Sequence, residues 1–151
     1  MTSPLILYVP GLLPIPNSYG KTGSVYSSRA EVRRRPRVSF SKQERVRSEG
    51  LSRDLADEII GSFRRQGIAI HPNKPVRDRI VRRRGNPWVP AVLRYNSVPV
   101  KVLVEVCNLV NSDDLALIKT RRFRQQVAEG LVDGLLQYYG GEVAGATAQA
   151  P

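Results

Sequence analysis

Histidine and cysteine are nearly missing from this sequence, with one of each in 151 residues. A lone Cys107 excludes an internal disulfide, and a lone His71 excludes any site that needs two imidazoles. Aromatic residues reach only 7%, which argues against a nucleic-acid stacking platform. No apolar run attains the ~20 residues that a membrane-spanning helix requires. The apolar stretch from Pro4 to Pro16 is interrupted by prolines and has no basic region before it, so it does not read as a secretion signal. Acidic residues are also short, 13 against 24 Lys plus Arg, which leaves a formal charge of +11. Such a field favours an anionic partner: nucleic acid, anionic lipid or polyanionic cell-wall polymer.

What is present suits a single domain, long enough to bury roughly two-thirds of its unfolded surface. The segment that organises the rest is Val98 to Leu115. Lys101 to Val106 is mostly Val and Leu, the composition of a strand buried on both faces. Glu105 sits near the end of that run. An ionised carboxylate is costly to bury without a partner, so something must meet it where the strand emerges. Open α/β sheets bind ligands beyond the carboxyl ends of their strands, which makes Glu105 a candidate site residue. The competing expectation is a carboxylate satisfied by a neighbouring arginine or a helix N-terminus.

Taken in order, Leu5 to Val9 forms a short strand ended by Pro10-Gly11. Pro14 to Ser28 reads as a loop. Its Gly20-Lys21-Thr22 lacks the earlier glycine of a phosphate-binding loop, because Ile15 stands there. Arg29 to Ser48 holds eight basic and two acidic residues and reads as a solvated connector. Ser41 and Glu44 have capping-box spacing. Leu51, Leu55, Ile59 and Phe63, with Ala56 and Ile60, predict an amphipathic helix from Leu51 to Gln66, stopped by Gly67. Ser52 is a helix residue rather than a nucleophile, since Asp54 replaces the second glycine of an elbow.

Ile68 to Ile70 is expected as a short strand, and His71, beside Pro72, as a loop residue. Val76 to Arg84 reads as a basic helical turn or two, and Val89 to Tyr95 as helix or strand. Asn96-Ser97 is a turn. Asn111 or Ser112 caps a short helix whose first turn holds Asp113 and Asp114. Thr120 caps a last helix, Arg121 to Tyr139, with Phe123, Val127, Leu131 and Leu135 as its apolar stripe and Ala128, Val132 and Tyr139 beside it. Gly140-Gly141 is expected to end that helix, leaving 142–151 as a disordered tail.

From Ser48 onward the order of parts resembles the C-terminal half of the zinc-dependent N-acetylmuramoyl-L-alanine amidases of bacterial cell walls. The residues that carry the likeness are the helix Leu51-Ser52-Arg53-Asp54-Leu55-Ala56-Asp57-Glu58-Ile59 and the segment Pro90 to Asn96. Val98-Pro99, Leu103-Val104-Glu105, Asn111 and Asp113-Asp114 follow, and then Phe123-Arg124 opens a helix that runs to Tyr138-Tyr139. Cys107-Asn108 departs from the family's usual Gly-Phe. Cys107 itself has no adjacent histidine and does not read as a nucleophile.

The resemblance implies an α/β fold, part of a three-layer sheet flanked by helices, with an irregular N-terminal segment. It divides the chain into 1–47, an amidase-like 48–141, and the tail 142–151. It implies that Glu105 is the glutamate that activates a zinc-held water, with Asn108 and Asn111 near the substrate. The implied reaction hydrolyses the lactyl-amide bond between N-acetylmuramic acid and L-alanine in peptidoglycan, in the cell envelope or periplasm. Zinc is thus the implied cofactor, yet the family's two His and one Glu ligands come from segments before the helix at Leu51, and His71 matches neither histidine. A truncated amidase half is therefore expected, with a parallel sheet short of strands and exposed at its edges. Two other expectations stand beside it. One is a basic protein that binds nucleic acid, non-specifically as any chain of this charge does. The other is a non-catalytic peptidoglycan-binding or regulatory relative.

Overall fold

The computed structural model describes residues 1–10, 41–80, 87, 89–94 and 96–147. The expected loop 14–28 lies outside these residues, as does the basic run through residue 40. The described elements are β1 (Ile6–Tyr8), α1 (Lys42–Arg65), β2 (Val76–Arg77), α2 (Ala91–Arg94), β3 (Leu103–Glu105), α3 (Ser112–Lys119) and α4 (Arg121–Thr147). The chain is α/β, and its strands form one sheet in the order β2-β1-β3.

The central strand is β1, and that explains its composition. Leu5, Leu7 and Val9 are at most 1% exposed, as expected for a strand with neighbours on both sides. Leu7 N–H donates to Pro75 O (2.7 Å) and Val9 N–H to Arg77 O (2.8 Å), so β1 and β2 advance together as a parallel pair. The sheet as a whole is mixed rather than purely parallel. Val76-Arg77 is accordingly a strand and not the start of a helix, because Pro75 and Arg77 offer carbonyls in register with β1. Ile68 to Ile70 contributes only an isolated parallel bridge, Ile70 with Leu5, and Pro72 follows before pairing can extend.

The strand expected over Lys101 to Val106 narrows to β3, and it is not buried on both faces. Leu103 and Val104 are half-buried and Glu105 is exposed. Among the described strands β3 has a neighbour on one side only, β1.

α1 is a single 24-residue helix. Its start is the expected capping box: Ser41 N–H donates to a Glu44 carboxylate oxygen (2.6 Å) and Glu44 N–H to Ser41 Oγ (3.1 Å). Its end is a Schellman pair, with Ile68 N–H on Phe63 O (3.0 Å) and Gly67 N–H on Arg64 O (3.1 Å). Gly67 takes φ +73°, a conformation open to glycine at little steric cost.

The chain divides into two compact units, one of residues 1–7, 53–76 and 104–151, the other of residues 8–52 and 77–103. In the first, Leu55, Ala56, Ile59, Ile60 and Phe63 are buried along α1, together with Phe123, Val127 and Tyr138 of α4. The face that α4 buries differs from the expected stripe. Val132, Leu135 and Tyr139 are 53%, 40% and 45% exposed, and the buried line instead runs through Phe123, Val127, Gly130, Gly134 and Tyr138. The glycines decide it. A Cβ at Gly134 would stand 2.7 Å from Ile59 Cα, and one at Gly130 would collide with the Phe63 ring, so α4 approaches α1 through its two bare positions. α4 also runs past Gly140-Gly141 to Thr147. A helical glycine costs only about 1 kcal/mol relative to alanine, too little to stop a long helix.

In the second unit Tyr8, Val9, Val89 and Leu93 are buried. Ala91–Arg94 is a single helical turn, with Leu93 N–H on Pro90 O (3.0 Å). Asn96 closes the expected turn by accepting Val98 N–H at its side-chain oxygen (2.9 Å).

These contacts set a pair of opposite outcomes for one substitution type. Gly→Ala in a helix gains roughly 0.5–1 kcal/mol, whereas overpacking costs typically about 1–3 kcal/mol. Gly134→Ala, which meets the Ile59 backbone, lowers the urea midpoint. Gly50→Ala, with nothing within 4 Å, raises it.

Candidate functional site

The segment after β3 is built around one buried carboxylate. Asp114 is fully buried. One of its oxygens accepts Ser3 N–H (2.7 Å) and the other accepts Asn108 N–H (2.7 Å). It stands in the first turn of α3, where the helix dipole also favours negative charge. The Asn108 N–H, then Ser3, hold the Asp114 carboxyl below the ordinary value of 3.8, against the opposing effect of burial. The expected pair of first-turn acids thus divides its roles: Asp113 is exposed and pairs with the Met1 ammonium, while Asp114 ties the 105–111 loop to the chain before β1.

Asn111, not Ser112, is the cap of α3. Its Oδ1 accepts Asp113 N–H (2.9 Å) and Asp114 N–H (3.3 Å). Its Nδ2 donates to Met1 O (3.1 Å), so both ends of the Asn111 amide are engaged in local structure. Asn108 is exposed. Its Oδ1 accepts Val110 N–H (3.2 Å), and its backbone oxygen accepts Asn111 N–H (2.9 Å), which closes the turn between the two asparagines. Asn108 Nδ2 has no acceptor among the described residues.

Glu105 is exposed at the end of β3 and has neither an ion pair nor a hydrogen bond among the described residues. The structural arginine weighed above is therefore not present among them. Such a carboxylate can take a proton from a bound molecule or accept its hydrogen bond. The next three residues lead directly to the Asn108 amide held by Asp114, so the loop beyond Glu105 is anchored within one turn of chain.

Cys107 is half-buried, and burial followed by the Asp114 charge pushes its thiol up. It stays protonated, consistent with a packing role. Thr120 joins the two last helices: its Oγ1 donates to Leu117 O (2.7 Å) and accepts Phe123 N–H (3.3 Å). In the Phe123-Arg124 pair, Phe123 is buried, and Arg124 Nη1 donates to Ile118 O (2.9 Å) and Lys119 O (2.6 Å) at the C-terminus of α3.

The zinc centre implied by the resemblance can be tested against the residues. His71 is a loop residue whose Nδ1 accepts Lys74 N–H (3.2 Å). Among the described residues no three His, Cys, Asp or Glu side chains are grouped to hold a metal ion. The described residues do not fit that centre. Asp114 was not singled out from sequence. The signal that could have found it is its place three residues after the cap, where a first-turn acid can reach back to upstream backbone.

Compared with protein-family models, curated proteins and solved structures, the chain matches none.

The Asp114 contacts carry a pH dependence of definite sign. A carboxyl whose folded pKa lies below its unfolded value stabilises the fold above that unfolded value, and the gain is lost as pH falls through the folded pKa. Urea midpoints of the native chain should therefore fall as the pH drops below about 3.8. Asp114→Asn should be less stable at neutral pH and lack that part of the acid slope, so that the two curves converge in acid.

Proposed function

We propose that this chain is an amidase-type segment of a peptidoglycan hydrolase, in which Glu105 is the acid–base group and the metal ligands belong to another segment. The observation that carries this reading is the state of Glu105: open to solvent at the end of a strand, unpartnered among the described residues, with the loop beyond it pinned through Asp114. In that state its oxygens are open to a hydrogen-bond or proton donor on a bound molecule. A second support is that β3 is the outermost of the described strands, since an outer strand offers backbone groups to an extended peptide such as a wall stem.

In this reading Glu105 takes a proton from the water that attacks the amide carbonyl and returns it to the departing L-alanine nitrogen as the C–N bond breaks. The three-layer, amidase-like completion of the small sheet belongs to the same proposal, as do zinc as the complete hydrolase's cofactor and placement in the cell envelope. No described helix is long and apolar enough to cross a membrane. The net charge of +11 suits an anionic wall polymer.

The test combines binding with turnover. The chain should sediment with purified sacculi in physiological salt, more than matched heparin competition can explain, and should release no stem peptide alone. With a histidine-bearing segment of an amidase joined in frame before it and zinc supplied, stem peptides should be released, and Glu105→Ala should lower that rate by about 10² or more without changing the folded circular-dichroism spectrum. Retained turnover in Glu105→Ala would remove Glu105 from the reaction. Structure-selective nucleic-acid binding in physiological salt, with no affinity for sacculi, would replace the proposal.

A further inference from the structure

Within the first unit, α4 carries a second apolar line on the side turned away from α1. Val132 stands two residues from both Gly130 and Gly134, the glycines that meet α1, and so lies roughly 200° round the helix from each. Val132, Leu135, Leu136 and Tyr139 are 53%, 40%, 65% and 45% exposed. Ala128 and Gln125, also exposed, continue the line towards the start of the helix. A contiguous apolar patch of this kind marks an interaction site, whereas the same residues scattered singly would not.

The spacing points to what covers it. Gln125, Ala128, Val132, Leu135 and Tyr139 alternate steps of three and four residues. That is the a/d repeat of a helix that pairs with another helix along a seam. A face that lies on lipid needs a broad apolar stripe but no such register. Val132 at a and Leu135 at d is the combination that favours two strands in parallel.

The flanks point to a copy of the same helix. In a parallel, in-register pair, Arg124 at g faces Glu129 at e of the second copy, and Leu131 at g faces its Leu136 at e. Arg124 and Glu129 are both exposed. Arg124 meets the α3 carbonyls through Nη1, and Glu129 accepts Gln125 Nε2 at Oε1 (2.9 Å), so Nη2 and Oε2 lie outside those contacts. An antiparallel copy with the same apolar overlap would set Glu129 near Leu136 instead, where its charge has no complement.

We propose that this face of α4 docks a second copy of this chain as a parallel, in-register helix pair. The seam runs from Gln125 to Tyr139, about 21 Å at 1.5 Å per residue. Arg121, at the preceding d position, would face its own copy and ends the seam there. An interface this short falls below the standard size, so the pair is weak, with a dissociation constant of roughly 1–100 µM. This surface is independent of Glu105 and of the hydrolase reading.

Sedimentation equilibrium on the full chain, over a range of loading concentrations, tests the proposal. A monomer–dimer equilibrium is expected. Val132→Glu, which places a charge in the seam, should weaken it by about tenfold or more. If that variant does not fold, Leu136→Glu at the more exposed flank should act in the same direction. Val92→Glu makes the same change at an exposed position of α2 and should leave the equilibrium unchanged. Glu129→Lys should weaken the pair by about fivefold or more, since it sets two like charges against each other on both flanks. Ala128→Cys in a Cys107→Ser chain should form an intermolecular disulfide on mild oxidation, because parallel pairing sets position 128 against itself. A chain that stays monomeric up to about 1 mM, equal weakening by Val92→Glu, or no disulfide at position 128 overturns the proposal. Binding of a monomeric chain to phosphatidylglycerol vesicles, abolished by Val132→Glu, also overturns it and assigns the face to a membrane surface.

Discussion

The loop that follows Glu105 depends on one ionised side chain that is fully withdrawn from water. Asp114 accepts two backbone N–H groups from segments far apart in the chain, Ser3 and Asn108, at 2.7 Å each. Hydrogen bonds to a charged acceptor are worth more than neutral ones, and a buried carboxylate without them would be strongly unfavourable. The clamp therefore works in both directions: the donors keep Asp114 ionised, and the charge keeps the donors in place. Asn111 completes the arrangement by capping the helix that carries Asp114.

A second constraint operates between α1 and α4 within the same unit. Two glycines let the helices approach so closely that the side chains of Ile59 and Phe63 fill the space other residues would occupy. This contact anchors α4, and α4 in turn holds α3 through Thr120 and Arg124. The exposed Glu105 thus stands at the end of a short strand, and the loop beyond it is held at Asn108.

How much of this was legible in the sequence follows the range of each interaction. The capping box at Ser41 and Glu44, the apolar line from Leu55 to Phe63, the stop at Gly67, the cap of α3 at Asn111 and the loop position of His71 are all local, and each is seen in the fold. Features set by distant neighbours were not legible. The composition of Lys101 to Val106 does not say that β3 will be the outermost of the described strands, because strand order is a property of the whole sheet. The glycine face of α4 carries no hydropathy signal, so the larger side chains Leu135 and Val132 pointed to the wrong stripe. Val76-Arg77 became a strand because β1 offered it partners. Of the site itself, the exposed end of the strand at Glu105 could be expected, whereas the burial of Asp114 and the local commitment of the Asn111 amide could not.

The central claim is that Asp114, in its ionised form, holds the loop beyond Glu105. Amide hydrogen exchange at Asn108 and Ser3, measured residue by residue and corrected for intrinsic rates, tests it most directly. Both amides should be strongly protected at neutral pH and should lose that protection together in Asp114→Asn, while the α1 amides near Ile59 remain protected. Unprotected Asn108 and Ser3 amides in the native chain at neutral pH would contradict the claim.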